Sequence, residues 1–344
     1  MFDLDKLLRK NIKSLKAYSS ARNEFQGTAS VFLDANENPY ESGINRYPDP
    51  LQQKLKIKIE KIKHISPEKI FLGNGSDEAI DLLIRAFCEP GIDNILSINP
   101  TYGMYKVCAD INNVEYRDVL LNPDFSLNVQ ALLNAVDPST KLIFLCSPNN
   151  PSGNSLNKDD IIKVITSFNG LVILDEAYID FSSQKSLLEE IDNYSNLVIL
   201  QTFSKAWGMA GIRLGMAFAS EPVINILNKI KYPYNVNILT QEKALECLNN
   251  SEIMMKSNVA EIIRERDKLF SELKNISVIQ KLYSTDSNFI LAKVEDAKAT
   301  YNYLCSKEII VRDRSKVALC NNCLRLTIGT PEENKTLLEA LKQI

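Results

Sequence analysis

Between residues 70 and 220 the sequence alternates short, continuous apolar runs with amphipathic stretches of helical length. Runs that are apolar at every position are typical of strands buried on both faces, which occur mainly in parallel sheets. The alternation therefore predicts an α/β fold, a three-layer α/β/α domain around a mostly parallel sheet. The predicted strands are 70–72, 95–98, 114–120, 142–146, 171–174, 197–200 and 214–218, and the predicted helices are 76–88, 102–111, 127–136 and 157–168.

The chain after residue 221 follows a different pattern, in which helices predominate. Helices are predicted at 221–231, 237–249, 252–273 and 296–306 and from Pro331 onward, and strands at 288–294, 309–311 and 324–328. This mixture predicts a smaller α+β domain. We divide the chain into an N-terminal segment (1–45) that packs with the small domain, a large domain (46–235) and the small domain (236–344).

Composition argues against several classes of partner. The 40 basic and 43 acidic residues give a net charge of −3 without a long run of one sign, so neither nucleic acid nor a membrane is expected as a partner. The first residues include acids and lack a sustained apolar run, so no secretory signal is expected. Seven scattered cysteines, an odd number, fit reduced thiols and predict a cytoplasmic protein.

The sequence contains a single histidine, His64, within a lysine-rich stretch. Histidine-dependent triads and metal sites are therefore disfavoured, and an enzyme of this sequence would use lysine, a carboxylate or tyrosine as its base. Cys320 and Cys323 have C-x-x-C spacing. A zinc site would need two further ligands and a redox motif would open a helix, so we predict a structural pair and no metal.

Lys205 follows the apolar run 196–200, with Ser204 before it and Arg213 after it. A lysine beyond a core strand is costly unless its amine is neutral at times and attacks a carbonyl, as in a Schiff base. Serine and arginine would hold a phosphate, so the segment fits a pyridoxal phosphate anchor. Taken alone, the segment favours the alternative of an ordinary surface turn.

Two loops that follow predicted strands offer further ligands. Gly75, Ser76 and Asp77 open a helix, whose free N–H groups would receive a phosphate; the alternative is a plain capping box. Asn150 lies in a proline-bounded loop and would donate to a phenolic oxygen, although many such loops are only turns.

Charged and aromatic residues elsewhere have similarly open interpretations. Asp175 ends a buried strand and suits a protonated pyridine, or it is a helix cap or salt-bridge partner. Tyr102 would stack on a flat ring, or it is a half-buried aromatic. Arg325 lies within an apolar strand and Arg312 follows another, so each needs an anion, either a ligand or an internal carboxylate.

These groups occur in one order at the carboxyl ends of successive predicted strands, and in that order the chain resembles the fold-type I pyridoxal-phosphate aminotransferases over essentially its whole length. The likeness is sharpest to the histidinol-phosphate aminotransferase family, in the segments 36–39, 45–48, 83–91, 100–105 and 146–151. One departure is Ser152, where the family usually has threonine.

The resemblance implies a role for each residue. Lys205 would anchor pyridoxal phosphate and carry the proton, Asp175 would pair with the pyridine nitrogen, and Tyr178 would contact the phenolic oxygen. The remaining implied cofactor contacts are Gly75, Ser76, Asp77, Tyr102, Asn150, Thr202, Ser204 and Arg213, with Tyr47 reaching in from the second subunit of a homodimer. The implied substrate contacts are Tyr18, Asn150, Arg312 and Arg325.

The implied reaction is transamination between L-histidinol phosphate and 2-oxoglutarate, giving imidazole-acetol phosphate and L-glutamate, in histidine biosynthesis. Aromatic amino-acid transamination and threonine-phosphate decarboxylation on the same fold are the alternatives. A regulator with an aminotransferase domain would carry an N-terminal DNA-binding domain, and fewer than 50 residues precede the match.

Overall fold

The computed structural model describes residues 2–18, 24, 25, 27, 29–250 and 252–344. Its larger sheet has seven strands, in the spatial order β1-β7-β6-β5-β4-β2-β3. The strands are β1 (Ile70–Asn74), β2 (Asn94–Asn99), β3 (Glu115–Leu120), β4 (Thr140–Cys146), β5 (Leu171–Asp175), β6 (Leu197–Thr202) and β7 (Leu214–Ala219). Only β7 runs in the direction opposite to the other six strands, which confirms the mostly parallel sheet.

Helices cover both faces of this sheet, which confirms the three-layer fold. Along β5, Leu171 and Ile173 join one apolar cluster and Val172 and Leu174 join the other, so every position of the strand is buried. Helices on the first face are α4 (Ser76–Phe87), α5 (Met104–Ile111) and α8 (Glu221–Ile230). Helices on the second face are α3 (Gln53–Lys63), α6 (Val129–Asn134) and α7 (Lys158–Ser167).

The C-terminal region forms an antiparallel sheet in the order β10-β11-β9-β8, packed with helices as predicted. Its strands are β8 (Ile279–Leu282), β9 (Phe289–Val294), β10 (Arg312–Asp313) and β11 (Cys323–Thr327). Its helices are α9 (Ile238–Asn250), α10 (Glu252–Leu273), α11 (Ala297–Ser306) and α12 (Pro331–Leu341). The sequence analysis missed β8 and α3.

The strand predicted at 309–311 is wrong, because pairing begins only at Arg312. The N–H of Ile309 still donates to the Leu304 carbonyl at the end of α11, and Glu308 has a φ of 61°. The chain is therefore still turning away from the helix and reaches the sheet edge three residues later than the apolar run indicates.

The N-terminal helices α1 (Leu4–Leu7) and α2 (Lys10–Ser14) lie on the large domain, which differs from the packing predicted for this segment. Arg9 donates from its backbone N–H to the Ala86 carbonyl (3.1 Å) and from Nη1 to the Arg85 carbonyl (2.8 Å). The domain boundaries themselves remain predictions. Within the described ranges, no helix is long and apolar enough to cross a membrane.

Candidate active site

A solvent-accessible cavity lies at the carboxyl ends of β4, β5 and β6, with about 520 Å³ of empty space when its open mouth is included. Parallel strands place the residues that follow them at one sheet edge, which is why distant loops meet here. Every predicted cofactor residue except Tyr47 lines this cavity. The lining residues are Gly75, Ser76, Asp77, Tyr102, Cys146, Asn150, Asp175, Ala177, Tyr178, Thr202, Ser204, Lys205 and Arg213.

One end of the cavity is built to receive an anion. Helix α4 begins at Ser76, and the first N–H groups of a helix have no acceptor within it. Gly75 has a φ of 72°, and a Cβ there would lie 2.9 Å from Nη2 of Arg213. Arg213 Nη2 is also 3.7 Å from a carboxylate oxygen of Asp77. The first N–H groups of α4 and the guanidinium of Arg213 thus lie close together, at a position where a residue with a Cβ in place of Gly75 would clash with Arg213.

The turn after β6 presents Lys205 to the cavity. The Thr202 hydroxyl accepts a hydrogen bond from the N–H of Ser204 (3.1 Å), which fixes the start of this turn. Lys205 Nζ lies 5.7 Å from the centre of the Tyr178 ring. Partial burial, and then the positive charge of Arg325, lower the pKa of Lys205. The amine is therefore more readily neutral than an ordinary surface lysine.

Asp175 ends β5 with 3% of its surface exposed. It continues the side of the strand that carries Leu171 and Ile173, so it faces α5. Its Oδ2 accepts a hydrogen bond from the Tyr105 hydroxyl (2.7 Å), and its Oδ1 accepts one from the N–H of Ala177 (3.0 Å). Burial raises the pKa of Asp175 to about 6, against the lowering effect of the Tyr105 hydrogen bond.

Tyr102 lies over the same region. Its hydroxyl donates to Oδ1 of Asp77 (3.1 Å), and its ring meets the ring of Tyr105 edge to face at 5.7 Å between centres. Burial, and then the charge of Asp77, raise the pKa of Tyr102. The tyrosine is therefore a neutral, fixed aromatic surface at neutral pH.

The C-terminal sheet contacts two residues that line the cavity, Asn150 and Tyr178. Arg325 Nη1 donates to Oδ1 of Asn150 (2.5 Å), and the Arg325 guanidinium lies 5.1 Å from the Phe289 ring centre. Phe289 in turn packs edge to face on Tyr178, at 5.2 Å. Arg312 is the register partner of Arg325 across the β10–β11 pair. The predicted arginines are therefore together, beside the cavity.

Besides Arg312 and Arg325, which lie beside the cavity, two further predicted residues do not line it. Tyr47 is 50% exposed and stacks on Tyr234 at 4.4 Å. Tyr18 is 70% exposed. The role of Tyr47 at a second subunit and that of Tyr18 at the substrate stay predictions.

The sequence analysis missed three residues at or beside this site: Tyr105, Cys146 and Arg314. Tyr105 lies three positions after Tyr102 within the helix predicted at 102–111, so that prediction placed both on one helix face. In the structure α5 begins only at Met104, and Tyr102 precedes it. Cys146 is a buried thiol whose Sγ donates to the Pro148 carbonyl (3.3 Å). Arg314 lies two residues after Arg312 along the same extended segment, so the two are on the same face of the sheet.

The donor set fits pyridoxal phosphate. Backbone N–H groups and Arg213 suit a phosphate at one end, the buried Asp175 suits a cationic ring nitrogen, and Lys205 suits a covalent attachment. Because Gly75 has no Cβ, Arg213 Nη2 can lie close to the backbone at the anion-binding end.

Comparison with known proteins agrees with this geometry. The sequence profile described as "Aminotransferase class I and II" matches residues 21–341. The histidinol-phosphate aminotransferase of Bacteroides thetaiotaomicron is 60% identical over 344 residues, covering 100% of this chain and 99% of the relative. That of Flavobacterium johnsoniae is 55% identical, covering 99% and 98%.

Solved structures share the fold. The histidinol-phosphate aminotransferase of Clostridium acetobutylicum matches with a TM-score of 0.80 and 27% identity, covering 88% of this chain and 91% of that one. The Sinorhizobium meliloti enzyme, solved in complex with pyridoxal-5'-phosphate, has a TM-score of 0.79 at 22% identity, covering 87% and 82%. This chain therefore belongs to the class I and II aminotransferases, and its full-length relatives group it with the histidinol-phosphate aminotransferase family.

Proposed function

We propose that this chain is a pyridoxal-phosphate-dependent transaminase that interconverts L-histidinol phosphate and 2-oxoglutarate with imidazole-acetol phosphate and L-glutamate. The observation that carries the proposal is that Lys205 and Asp175 line one cavity, beside which Arg325 contacts the lining residue Asn150. Full-length relatives at 51–60% identity, named histidinol-phosphate aminotransferases, support the choice of substrate.

The cavity residues would hold the cofactor at both ends. The N–H groups of Ser76 and Asp77, with Ser204 and Arg213, would bind its phosphate, and Thr202 would fix the turn that carries Ser204. Asp175 would stabilise positive charge on the ring nitrogen, Asn150 and Tyr178 would contact the phenolic oxygen, and Tyr102 would cover the ring. When bound, pyridoxal phosphate supplies an electrophilic carbon and a ring that withdraws electrons from the substrate α-carbon.

Lys205 would move the proton in the reaction. Its lowered pKa increases the neutral fraction of the amine at neutral pH, so Nζ accepts a proton from the α-carbon of the amino substrate. The ammonium so formed would deliver the proton to C4′ of the bound cofactor, and the reverse transfer would protonate the α-carbon when the keto substrate is aminated. Arg325, which contacts Asn150 beside the cavity, and its register partner Arg312 would orient the substrate by its anionic end.

Lys205→Ala tests the assignment. We expect turnover to fall by roughly 10³-fold or more, because both the attachment group and the proton carrier are lost. The visible absorption of the purified, cofactor-loaded protein should change at the same time. Lys185→Ala, which removes an exposed lysine of the large domain, is the matched control and should retain turnover. Normal transamination by Lys205→Ala would refute the proposal.

A substrate panel tests the choice of reaction. Histidinol phosphate, phenylalanine and threonine phosphate are offered in parallel to the loaded enzyme, with 2-oxoglutarate as acceptor. We expect the highest kcat/KM for histidinol phosphate. A preference for phenylalanine would indicate an aromatic aminotransferase, and release of carbon dioxide from threonine phosphate without amino transfer would indicate a decarboxylase.

We also propose a homodimer in the cytoplasm. Large apolar side chains are exposed along one part of the chain and next to the stacked pair Tyr47 and Tyr234. Their exposure supports coverage by a second copy. They are Val31, Leu33, Tyr40, Ile44, Tyr232 and Leu239. The seven cysteines are all free, which supports a reducing compartment.

A further inference from the structure

The β10–β11 hairpin carries three arginines. Arg312 and Arg325 are register partners, so their side chains share a face of the sheet. The N–H of Arg314 donates to the Cys323 carbonyl (2.9 Å), which continues the pairing by two residues. Arg314 therefore lies on the same face as Arg312 and diagonally across from Arg325.

No carboxylate of the described residues lies within 4.0 Å of any of these guanidinium groups. The Nε atoms of Arg314 and Arg325 are buried and have no hydrogen-bond partner among the described residues. Within the same ranges, the one hydrogen-bond partner of the Arg325 guanidinium is the neutral amide of Asn150. Partly buried cations that repel one another are costly, so this arrangement indicates an anionic ligand.

The position of Arg314 suits a ligand that extends from the cavity. Arg314 lies within electrostatic range of Tyr178 as well as of Arg312 and Arg325. Burial, and then the charges of the two neighbouring arginines, lower its pKa, although it stays protonated at neutral pH. An anion between them would relieve that repulsion.

We propose that Arg314 is a specificity-determining residue that contacts the phosphate of the substrate, together with Arg312 and Arg325. A phosphate monoester carries about two negative charges at neutral pH and three acceptor oxygens, whereas the side-chain carboxylate of glutamate carries one charge and two oxygens. A third guanidinium therefore favours the phosphate-bearing substrate over the dicarboxylate. This inference rests on the proposed function.

Arg314→Gln in the loaded enzyme tests it. Loss of a charge-assisted hydrogen bond should raise the KM for histidinol phosphate about tenfold or more, with kcat little changed, and should weaken competitive inhibition by inorganic phosphate similarly. The KM for glutamate should change by less than about threefold. Arg314→Lys, which retains a point charge, should recover part of the loss. Lys316→Gln, which removes an exposed charge two residues away, is the matched control.

The two proposals fail in different ways. If the wild type does not transaminate histidinol phosphate, the proposed function is wrong. The role of Arg314 can still be tested in that case, by comparing how strongly inorganic phosphate inhibits the glutamate reaction of the wild type and of Arg314→Gln. If the wild type uses histidinol phosphate and Arg314→Gln leaves both its KM and phosphate inhibition within about twofold, the role of Arg314 alone is wrong. Equal increases in KM for glutamate and histidinol phosphate would likewise overturn it.

Discussion

The buried carboxylate of Asp175 accepts hydrogen bonds from two neighbours, one close in the sequence and one distant. The N–H of Ala177 lies two residues away along the chain, whereas the Tyr105 hydroxyl arrives from α5, 70 residues earlier. The sequence predicted Asp175 because an acid at the end of an apolar strand stands out. It did not predict the tyrosine partner, because that pairing depends on which helix covers the strand.

Asp175 should make the stability of the cofactor-free protein depend on pH. Burial raises its folded pKa from 3.8 to about 6, so its favourable contribution is complete below pH 4 and is lost as pH rises through 6. Asp175→Asn should remove this loss, which amounts to about 3 kcal/mol. Tyr105→Phe removes the hydrogen bond that lowers the pKa of Asp175. The stability that this variant loses as the pH rises should therefore exceed the wild-type loss by about 1.5–3 kcal/mol.

Urea unfolding of the cofactor-free protein between pH 4 and 7.5 measures these differences. The difference in free energy of unfolding between Asp175→Asn and wild type should grow across the interval in favour of the variant. A difference that is constant with pH would show that Asp175 stays charged in the folded protein throughout.

At the scale of elements, the backbone of strand β7 lies in close contact with the backbone at the start of α4. A Cβ on Gly215 would lie 2.1 Å from the backbone N of Ser76 and 2.3 Å from the carbonyl carbon of Gly75. Both contacts are to backbone, so neither neighbour can rotate away. This contact aligns the free N–H groups of α4 with Arg213, which immediately precedes β7.

Gly215→Ala should therefore lower the free energy of unfolding by about 3 kcal/mol and weaken cofactor binding, because the helix start must shift. Thermal unfolding and titration with pyridoxal phosphate measure the two effects. Gly211→Ala is the matched control, since a Cβ there meets nothing within 4 Å and Gly211 lies in the turn just before β7. Equal behaviour of the two variants would contradict the contact.

The elements themselves were largely predictable. Apolar runs predicted the six strands of the large sheet other than β3, because burial on both faces leaves few polar positions. Strand β3 lies at the sheet edge and is partly exposed and polar, although a strand was predicted there too. The strand predicted at 309–311 was wrong, since an apolar run does not specify which backbone pairing forms. Helix α3 was missed, since its alternating Lys and Ile do not follow a helical period.

At the scale of the whole molecule, the C-terminal sheet is placed against the large domain so that Arg325 reaches Asn150 across 175 residues of sequence. Phe289 and Leu291 of β9 join the apolar cluster beneath the large sheet, which holds the two units together. Arg325 of the C-terminal sheet therefore contacts Asn150, a residue of the large domain that lines the cavity.

Mixed dimers test whether Tyr47 acts in the second subunit. Lys205→Ala and Tyr47→Ala each impair every site in their own homodimers. In an equimolar mixture, half of the dimers are hybrids, and one of the two sites in each hybrid is intact. We expect about a quarter of wild-type activity after subunit exchange. If activity stays at the mean of the two variants, Tyr47 acts within its own chain.

The sequence by itself determined the parallel α/β core and the order of the chemical groups around the cavity. Both follow from local properties, namely the periodicity of apolar residues and the residue types that end each strand. The tertiary structure alone decided that Tyr105 meets Asp175, that α1 and α2 lie on the large domain, and that Arg314 joins Arg312 and Arg325. These contacts join segments far apart in the chain, and packing and register fix them, because a local pattern does not specify its distant partner.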